Sequence, residues 1–445
     1  MAGIHYPLDY SIQSLDLLTS SGKKIDFKRM MNNLSYYEDL YSFITSGTLA
    51  VTDAQGFIES LQLTGNEFIE INIGKIKDAP DNIVEVFRIY KIEKRKPTGN
   101  QNAETYEFSF CSEELALSEQ IKISQGYPST SISDIVKDIL NNKLKVNSNK
   151  IGIIEDTAGI YDFVVPNMKP FETISWLSTY ARPASYHGSD MLFYQTREGF
   201  NFRSLQSIYN DEVFGTYKYS QKNVDYAEQQ NEDKETSVLK YELFKSYDSL
   251  NEINAGTFAN RLVSIDPMIR SFYVTDFDYS KYQPNASTLN NKPPSNYYIN
   301  RLGDAQNTNY LGVLKVATSN KDEMMVDYIK NRPGSVAKDI FIETYVPLRT
   351  AQLSLANYTK VKLTIPGDTG MTVGKVIQFN VNSLNPLNKN KELDEFYSGK
   401  YIVTALRHIF TTDQMQTMIE IAKDSSTGQF QSINVTPDWT EAITS

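Results

Sequence analysis

The chain has 445 residues, 40% of them hydrophobic and 22% charged, enough for roughly two to four domains with sizeable cores and too apolar for a disordered chain. Its 44 Lys and Arg against 54 Asp and Glu, net −10, exclude a phosphate-gripping basic surface as its dominant feature. One cysteine, Cys111, excludes an intrachain disulfide framework and cysteine-rich metal sites, and no run of about eighteen apolar residues is available to span a membrane. Met1 to Pro7 carries neither a basic nor an apolar run, so no signal peptide is expected and synthesis in a cytoplasm is.

Residues 10 to 117 read mostly as strands. Ser46-Gly47-Thr48 is a turn signal before Leu49-Ala50-Val51. Glu67 to Ile73 sets Ile69, Ile71 and Ile73 on one face against Phe68, Glu70 and Asn72. Val84 to Glu93 alternates likewise, and Thr105 to Cys111 follows a turn-rich loop. Composition shifts near residue 118. Ser131 to Asp134 opens a helix by a capping box, and Ile132, Ile135, Val136, Ile139 and Leu140 form its apolar stripe. Phe163-Val164-Val165 is a strand, Lys169-Pro170-Phe171-Glu172 opens a second helix, and Arg197-Glu198-Gly199 turns a hairpin.

Strands return at Val238 to Phe244, Ala259 to Ile265 and Phe272 to Phe277. Residues 281 to 312, rich in Asn, Pro and Ser, read as a long surface loop, and a helix is expected from Pro347 to Asn357. After Val361 to Ile365 and Val376 to Val381 comes the clearest unit of the chain. Phe396 to Phe410 alternates with apolar residues on both faces, four polar residues follow, and Met415 to Lys423 alternates again: an antiparallel hairpin. A strand apolar on both faces is expected in a barrel wall covered outside by other protein. A weak internal repeat supports two related barrels. Tyr37-Glu38-Asp39-Leu40 before Gly47-Thr48-Leu49 echoes Tyr247-Asp248-Ser249-Leu250 before Gly256-Thr257-Phe258, with a like order of strands after each.

Chemistry-bearing motifs are absent: no P-loop, HExxH, GxSxG or zinc-spaced cluster occurs, so no catalytic residue, metal or cofactor is expected. His5, His187 and His408 are scattered, with His408 expected as a structural side chain at a barrel rim. Glu113-Glu114 and Glu392, Asp394 and Glu395 read as solvated loop charge, Trp176 as core, and Gly367 to Gly370 as a turn. The basic run Lys91 to Lys96 is interrupted by Glu93.

Several stretches together resemble the central hub proteins of contractile-tailed phage baseplates. Tyr397 to His408 (YSGKYIVTALRH), with the strand ending at Lys423-Asp424, looks like the C-terminal signature of that family. Ile365 to Asp368, Val373 to Ile377 and Arg349 to Leu353 fit the elements before it, and Phe163 to Leu177 and Glu198 to Phe202 fit its middle domain. The resemblance implies a mainly β chain with α+β insertions: two tube-type antiparallel β-barrels plus a middle α+β domain. The pattern of strands and the shifts in composition put the first barrel at 1–117, the α+β domain at 118–233 and the second barrel at 234–280 and 351–424. An insertion with a long loop and helix takes 281–350, and an extended tail takes 425–445. The resemblance also implies a homotrimeric ring in the virion tail baseplate, adapting a sixfold tail tube to a threefold spike. Its partners would be the spike, the tube or a tube-initiator protein and the surrounding wedge proteins, with DNA passing through unbound. Type VI secretion spikes share the fold, so the hub of such an injection system is one alternative. A peptidoglycan-degrading tail enzyme and a carbohydrate-binding tail module are others. In the tail, Ile433, Val435, Pro437 and Trp439 are the expected contacts with the spike, three of them on one face of an extended segment.

Overall fold

The computed structural model describes residues 10–20, 22–61, 63–74, 81–99, 103–219, 235–246, 248–266, 270–282, 287–291, 297–299, 305–307, 314–318, 342–383 and 393–428. The N-terminal strands are β1 (Ser11–Leu18), β2 (Lys24–Asp26), β3 (Met31–Asp39), β4 (Ser46–Asp53), β5 (Phe68–Gly74), β6 (Ile83–Pro97) and β7 (Glu104–Ser112). They pair antiparallel in the order β3-β4-β7-β6-β5-β1-β2. Period two decides which face is buried: Leu49 and Val51 on β4, and Ile69, Ile71 and Ile73 on β5, point inward with Phe87, Phe108 and Phe110. Gly47 is required by close approach, since a Cβ there would lie 2.3 Å from the Phe110 ring.

The middle part has strands β8 (Ile123–Thr130), β9 (Ile151–Ile154), β10 (Tyr161–Met168), β11 (Met191–Thr196) and β12 (Gly199–Ser204). Helices Glu113–Gln120, Ile132–Asp138, Pro170–Ser178 and Leu205–Tyr209 surround them, the second continuing as a π turn over Ile139–Lys143. The Ser131 hydroxyl accepts the Asp134 N–H at 3.2 Å, satisfying one orphan donor of the first turn. The apolar stripe of that helix packs with Phe163, Phe171, Phe193 and Phe200 in a core separate from that of the large sheet. Trp176 sits at its rim against Phe163 and Tyr180.

Beyond it lie β13 (Val213–Tyr219), β14 (Glu235–Ser237), β15 (Lys240–Lys245), β16 (Ala259–Asp266), β17 (Ser271–Asp278), β18 (Tyr297–Ile299), β19 (Ala305–Asn307) and β20 (Leu314–Thr318). After the helix Ile342–Leu355 come β21 (Thr359–Pro366), β22 (Val376–Val381), β23 (Gly399–Thr411) and β24 (Met415–Lys423). A second ladder runs β14-β13-β22-β23-β24-β21-β15. Only Val238 and Leu239 separate β14 from β15, and their N–H groups donate to Lys218 O and Thr364 O, so this ladder returns on itself. Two of its pairings, β13 with β22 and with β14, are parallel.

Three expectations need correction. Strand β13 precedes residue 234 yet belongs to the second ladder, paired parallel with β22; parallel partners lie far apart in sequence and leave no local signal. Strands β16 and β17, expected in the second barrel, form a separate sheet with β20. The late helix begins at Ile342 and holds Pro347 inside it, whereas the proline reads as a start signal.

Strand β23 joins the two ladders. Residues Gly399 to Ile402 pair with β22, Ala405 to Thr411 pair with β3, and the other edge carries β24 from Ile402 to Phe410. A register shift between Val403 and Ala405 marks the exchange, where Leu40 N–H donates to the Thr404 carbonyl. Residues 401–404 are buried on both faces, but beyond the shift only Leu406, His408 and Phe410 are buried. The two-sided burial read from the sequence therefore holds for the first half of the strand only.

Candidate functional site at the sheet junction

Glu38 lies on the inward register of β3 with Leu34, Tyr36 and Leu40, and it is 2% exposed. Its carboxylate accepts three hydrogen bonds: the Tyr36 hydroxyl at 2.9 Å, the Arg197 backbone N–H at 2.7 Å and the Val373 backbone N–H at 3.0 Å. Arg197 is in the β11–β12 turn of the middle part and Val373 in the loop between β21 and β22. One side chain thus ties both ladders and the middle part together. Burial pushes its carboxyl up to about 7, against the three hydrogen bonds, which favour the ionised form. The Tyr36 ring stacks on His408, 6.0 Å between centroids. His408 is fully buried with Nδ1 2.9 Å from Thr417 Oγ1, and burial drives its imidazole down to about 3. It is structural as expected, but in the wall's interior and not at a rim.

In front of this junction the sheet is concave. A cavity of about 530 Å³ runs over β15, β21, β24, β23 and β3, lined by outward residues of these strands and by the inward Glu38, Leu406 and Ile419. Asp39, Glu242 and Glu420 alternate there with Lys362 and Arg407. Arg407 donates to Ser35 Oγ at 3.0 Å and lies 5.4 Å over the Tyr37 ring, while Glu420 binds Lys360 at 2.7 Å. A cleft of carboxylates beside a raised glutamic acid is the pattern of a glycosidase. Here, however, both Glu38 oxygens are engaged by internal donors and Glu420 by a lysine, so neither is placed to protonate or attack a ligand. Among the described residues no group of three or more His, Cys, Asp and Glu could hold a metal.

A second polar cluster fixes the chain end. Asp424, buried and raised to about 6 by burial, accepts the Leu289 N–H at 3.1 Å. Asn290 donates to the Lys400 and Ser425 carbonyls, both at 3.0 Å, and accepts the Lys400 N–H. Lys423 donates to the Ser398 and Phe396 carbonyls and sits 4.7 Å over the Tyr401 ring, with burial lowering its ammonium to about 8. Thr427 and Gly428 both donate to the Glu395 carbonyl, fixing where the C-terminal segment departs.

The other sequence candidates resolve individually. Glu114 is not solvated loop charge: it is buried on the helix Glu113–Gln120, 3.2 Å from Lys150, which also binds Glu85 of β6. Asp394 caps the Phe396 and Tyr397 N–H groups, and Asp368 accepts the Gly370 N–H within the expected turn. The His187 carbonyl accepts from Gln206. The basic run is internally paired, Lys91 with Glu93, Lys94 with Glu107 and Arg95 with Glu104. His5, Tyr247, Glu392 and the tail residues Ile433, Val435, Pro437 and Trp439 lie outside the described residues. The sequence reading missed Glu38 as a joint, noting it only within a repeat. Its signal was available: a carboxylate in period two with Leu34, Tyr36 and Leu40.

No family model matches the chain. It is 26% identical over 420 residues to a protein named probable baseplate hub protein gp334 of Vibrio phage KVP40, covering 90% of this chain and 92% of that one. Its fold is similar to the 43 kDa tail protein of prophage MuSo2 from Shewanella oneidensis, with TM-score 0.53 and 10% identity over 94% of this chain and all of that one. The tail protein from Neisseria meningitidis MC58 is similar too, with TM-score 0.50 and 10% identity over 93% of this chain and 97% of that one. The resemblance carried by the C-terminal hairpin and the middle part is borne out: over 90% of its length the chain is similar to a protein named as a probable baseplate hub protein.

Proposed function

We propose that the protein is a structural hub of a phage tail baseplate, a homotrimer on the tail axis between the tail tube and the central spike, surrounding the passage for DNA. The observation that carries this reading is the continuous curved sheet that β23 makes from two ladders, in a chain related over 420 residues to a baseplate hub protein. On this reading the two ladders are the two tube-type barrels. The concave run β15-β21-β24-β23-β3 faces the passage. Its charges suit a wall past which phosphates slide, since the two cations of the lining, Lys362 and Arg407, are outnumbered by carboxylates. Four acidic residues, Glu38, Asp39, Glu242 and Glu420, stand there against Lys362 and Arg407, in keeping with the acidic lining that the net charge of the chain suggests. The tube or a tube-initiator protein, the wedge proteins and the spike are the partners, with assembly in the host cytoplasm. Ile433, Val435, Pro437 and Trp439 contact the spike; a chain ending at Gly428 keeps its fold and loses spike binding if so. Light scattering of the purified chain, alone and co-expressed with its spike, tests the oligomer: a stable monomer or dimer in both samples contradicts it.

The alternative of a cell-wall hydrolase is disfavoured by the engagement of Glu38 and Glu420 with donors inside the chain. A zymogram decides it. Turnover abolished by Glu242→Gln or Glu420→Gln replaces the structural reading, whereas the absence of turnover supports it.

A further inference from the structure

A second cavity, of about 480 Å³, lies where three parts of the chain converge. The segment after β3 contributes Leu40, Tyr41 and Phe43, the middle part contributes Ser175 and Phe193, and the helix Ile342–Leu355 contributes Arg349 and Leu353. Its walls are therefore largely apolar, and its charged lining residues are both cations, Arg349 and Lys360, with no Asp or Glu among them. Lys360 is neutralised by Glu420. Arg349 is not neutralised. Its Nη1 donates to the Ser189 and Met191 carbonyls at 2.8 and 3.2 Å, while its Nε and Nη2 have no partner among the described residues. Burial lowers the Arg349 pKa, and Asp190 opposes this only at a distance, without an ion pair. Tyr41 adds a hydroxyl that accepts from Asn357 Nδ2 at 2.9 Å and keeps its own proton to give.

For a part-buried guanidinium with two unbonded nitrogens, a carboxylate is the best geometric complement. We propose that this cavity binds a carboxylate bearing a short apolar body, the anionic head on Arg349 and Tyr41 and the tail among Leu40, Phe43, Phe193 and Leu353. The same chemistry is offered by a free medium-chain acid and by the C-terminal carboxylate of an apolar peptide. The site is independent of the hub reading, because nothing in the argument uses the assembly.

The test is calorimetric titration of the full chain with octanoate, with octanol, and with N-acetyl-leucyl-leucine. Saturable binding of octanoate or the peptide is expected, the tighter of the two naming the source, with octanol weaker by about tenfold or more. Arg349→Met weakens binding by a similar factor. Should that variant fail to fold, Ser175→Trp fills the cavity while leaving Arg349 in place, and it abolishes binding. No saturable binding below about 10 mM, equal binding of octanol, or undiminished binding in a folded variant overturns the proposal.

Discussion

The two ladders share β23 but are built by opposite routes. The first is local: β1 to β7 follow one another within residues 11 to 112, pair only antiparallel and close on one apolar interior. The second is assembled from stretches at 213–245, 359–381 and 399–423, with the middle part, a small sheet and the helix Ile342–Leu355 lying between or before them. Its long-range pairings carry a larger loop-closure cost. In the first ladder the buried Asp53 and Glu67 hold nearby backbone N–H groups, whereas Glu38 at the junction and Lys423 and Asp424 at the end of β24 fix stretches distant in sequence. The difference teaches that Glu38, Lys423 and Asp424 mark joints between segments distant in sequence.

The comparison breaks most severely at β23. Leu406→Pro removes a ladder hydrogen bond from an interior strand and costs about 3 kcal/mol or more. Because Leu406 pairs with both Glu38 and Ile419, amide exchange should accelerate in both ladders. Exchange confined to one of them would show that the ladders are independent units. Next is Glu38→Ala, which leaves the Arg197 and Val373 N–H groups buried without acceptors and costs about 2 to 5 kcal/mol. Urea unfolding measures the loss, and exchange at those two amides localises it.

Titration sharpens the same joint. The Glu38 carboxyl, raised to about 7 in the fold, binds its proton more tightly there than in the unfolded chain. Its contribution is fully present below the ordinary carboxylate range and is lost as pH rises through about 7. His408 acts oppositely: its imidazole, lowered to about 3, disfavours the fold as pH drops below the ordinary histidine range. The difference between the wild type and Glu38→Gln isolates the first effect, up to about 3 kcal/mol. The wild type should gain relative to the variant as pH falls from 8 toward 5; a constant difference would mean that Glu38 does not titrate. The smallest effect is expected at the chain-end cluster. Asn290→Ala should cost about 1 to 2 kcal/mol, removing the bonds of position 290 to Lys400 of β23 and to Ser425 while leaving β1 to β7 protected.

The local ladder was the legible one. Alternation at Ile69, Ile71 and Ile73 gave the buried face, Ser131 gave a helix start, and the β23–β24 hairpin was plain from its period and its short polar turn. The parallel pairing of β13, the sheet of β16, β17 and β20, and the return of β14–β15 onto β13 and β21 were not legible, because each depends on partners remote in sequence. Charge was legible in sign but not in burial. Glu114 looked solvated because its partner Lys150 is distant in sequence, and Glu38 looked like part of a repeat because its donors Arg197 and Val373 come from other parts of the chain.

The central claim is a hub on the tail axis, and cryo-electron microscopy of intact tails carrying this chain tests it most directly. The account predicts three copies around the axis between tube and spike, with the face that bears Tyr37, Arg407 and Glu420 turned toward the passage. Copies at the baseplate periphery, or that face turned outward, would contradict it.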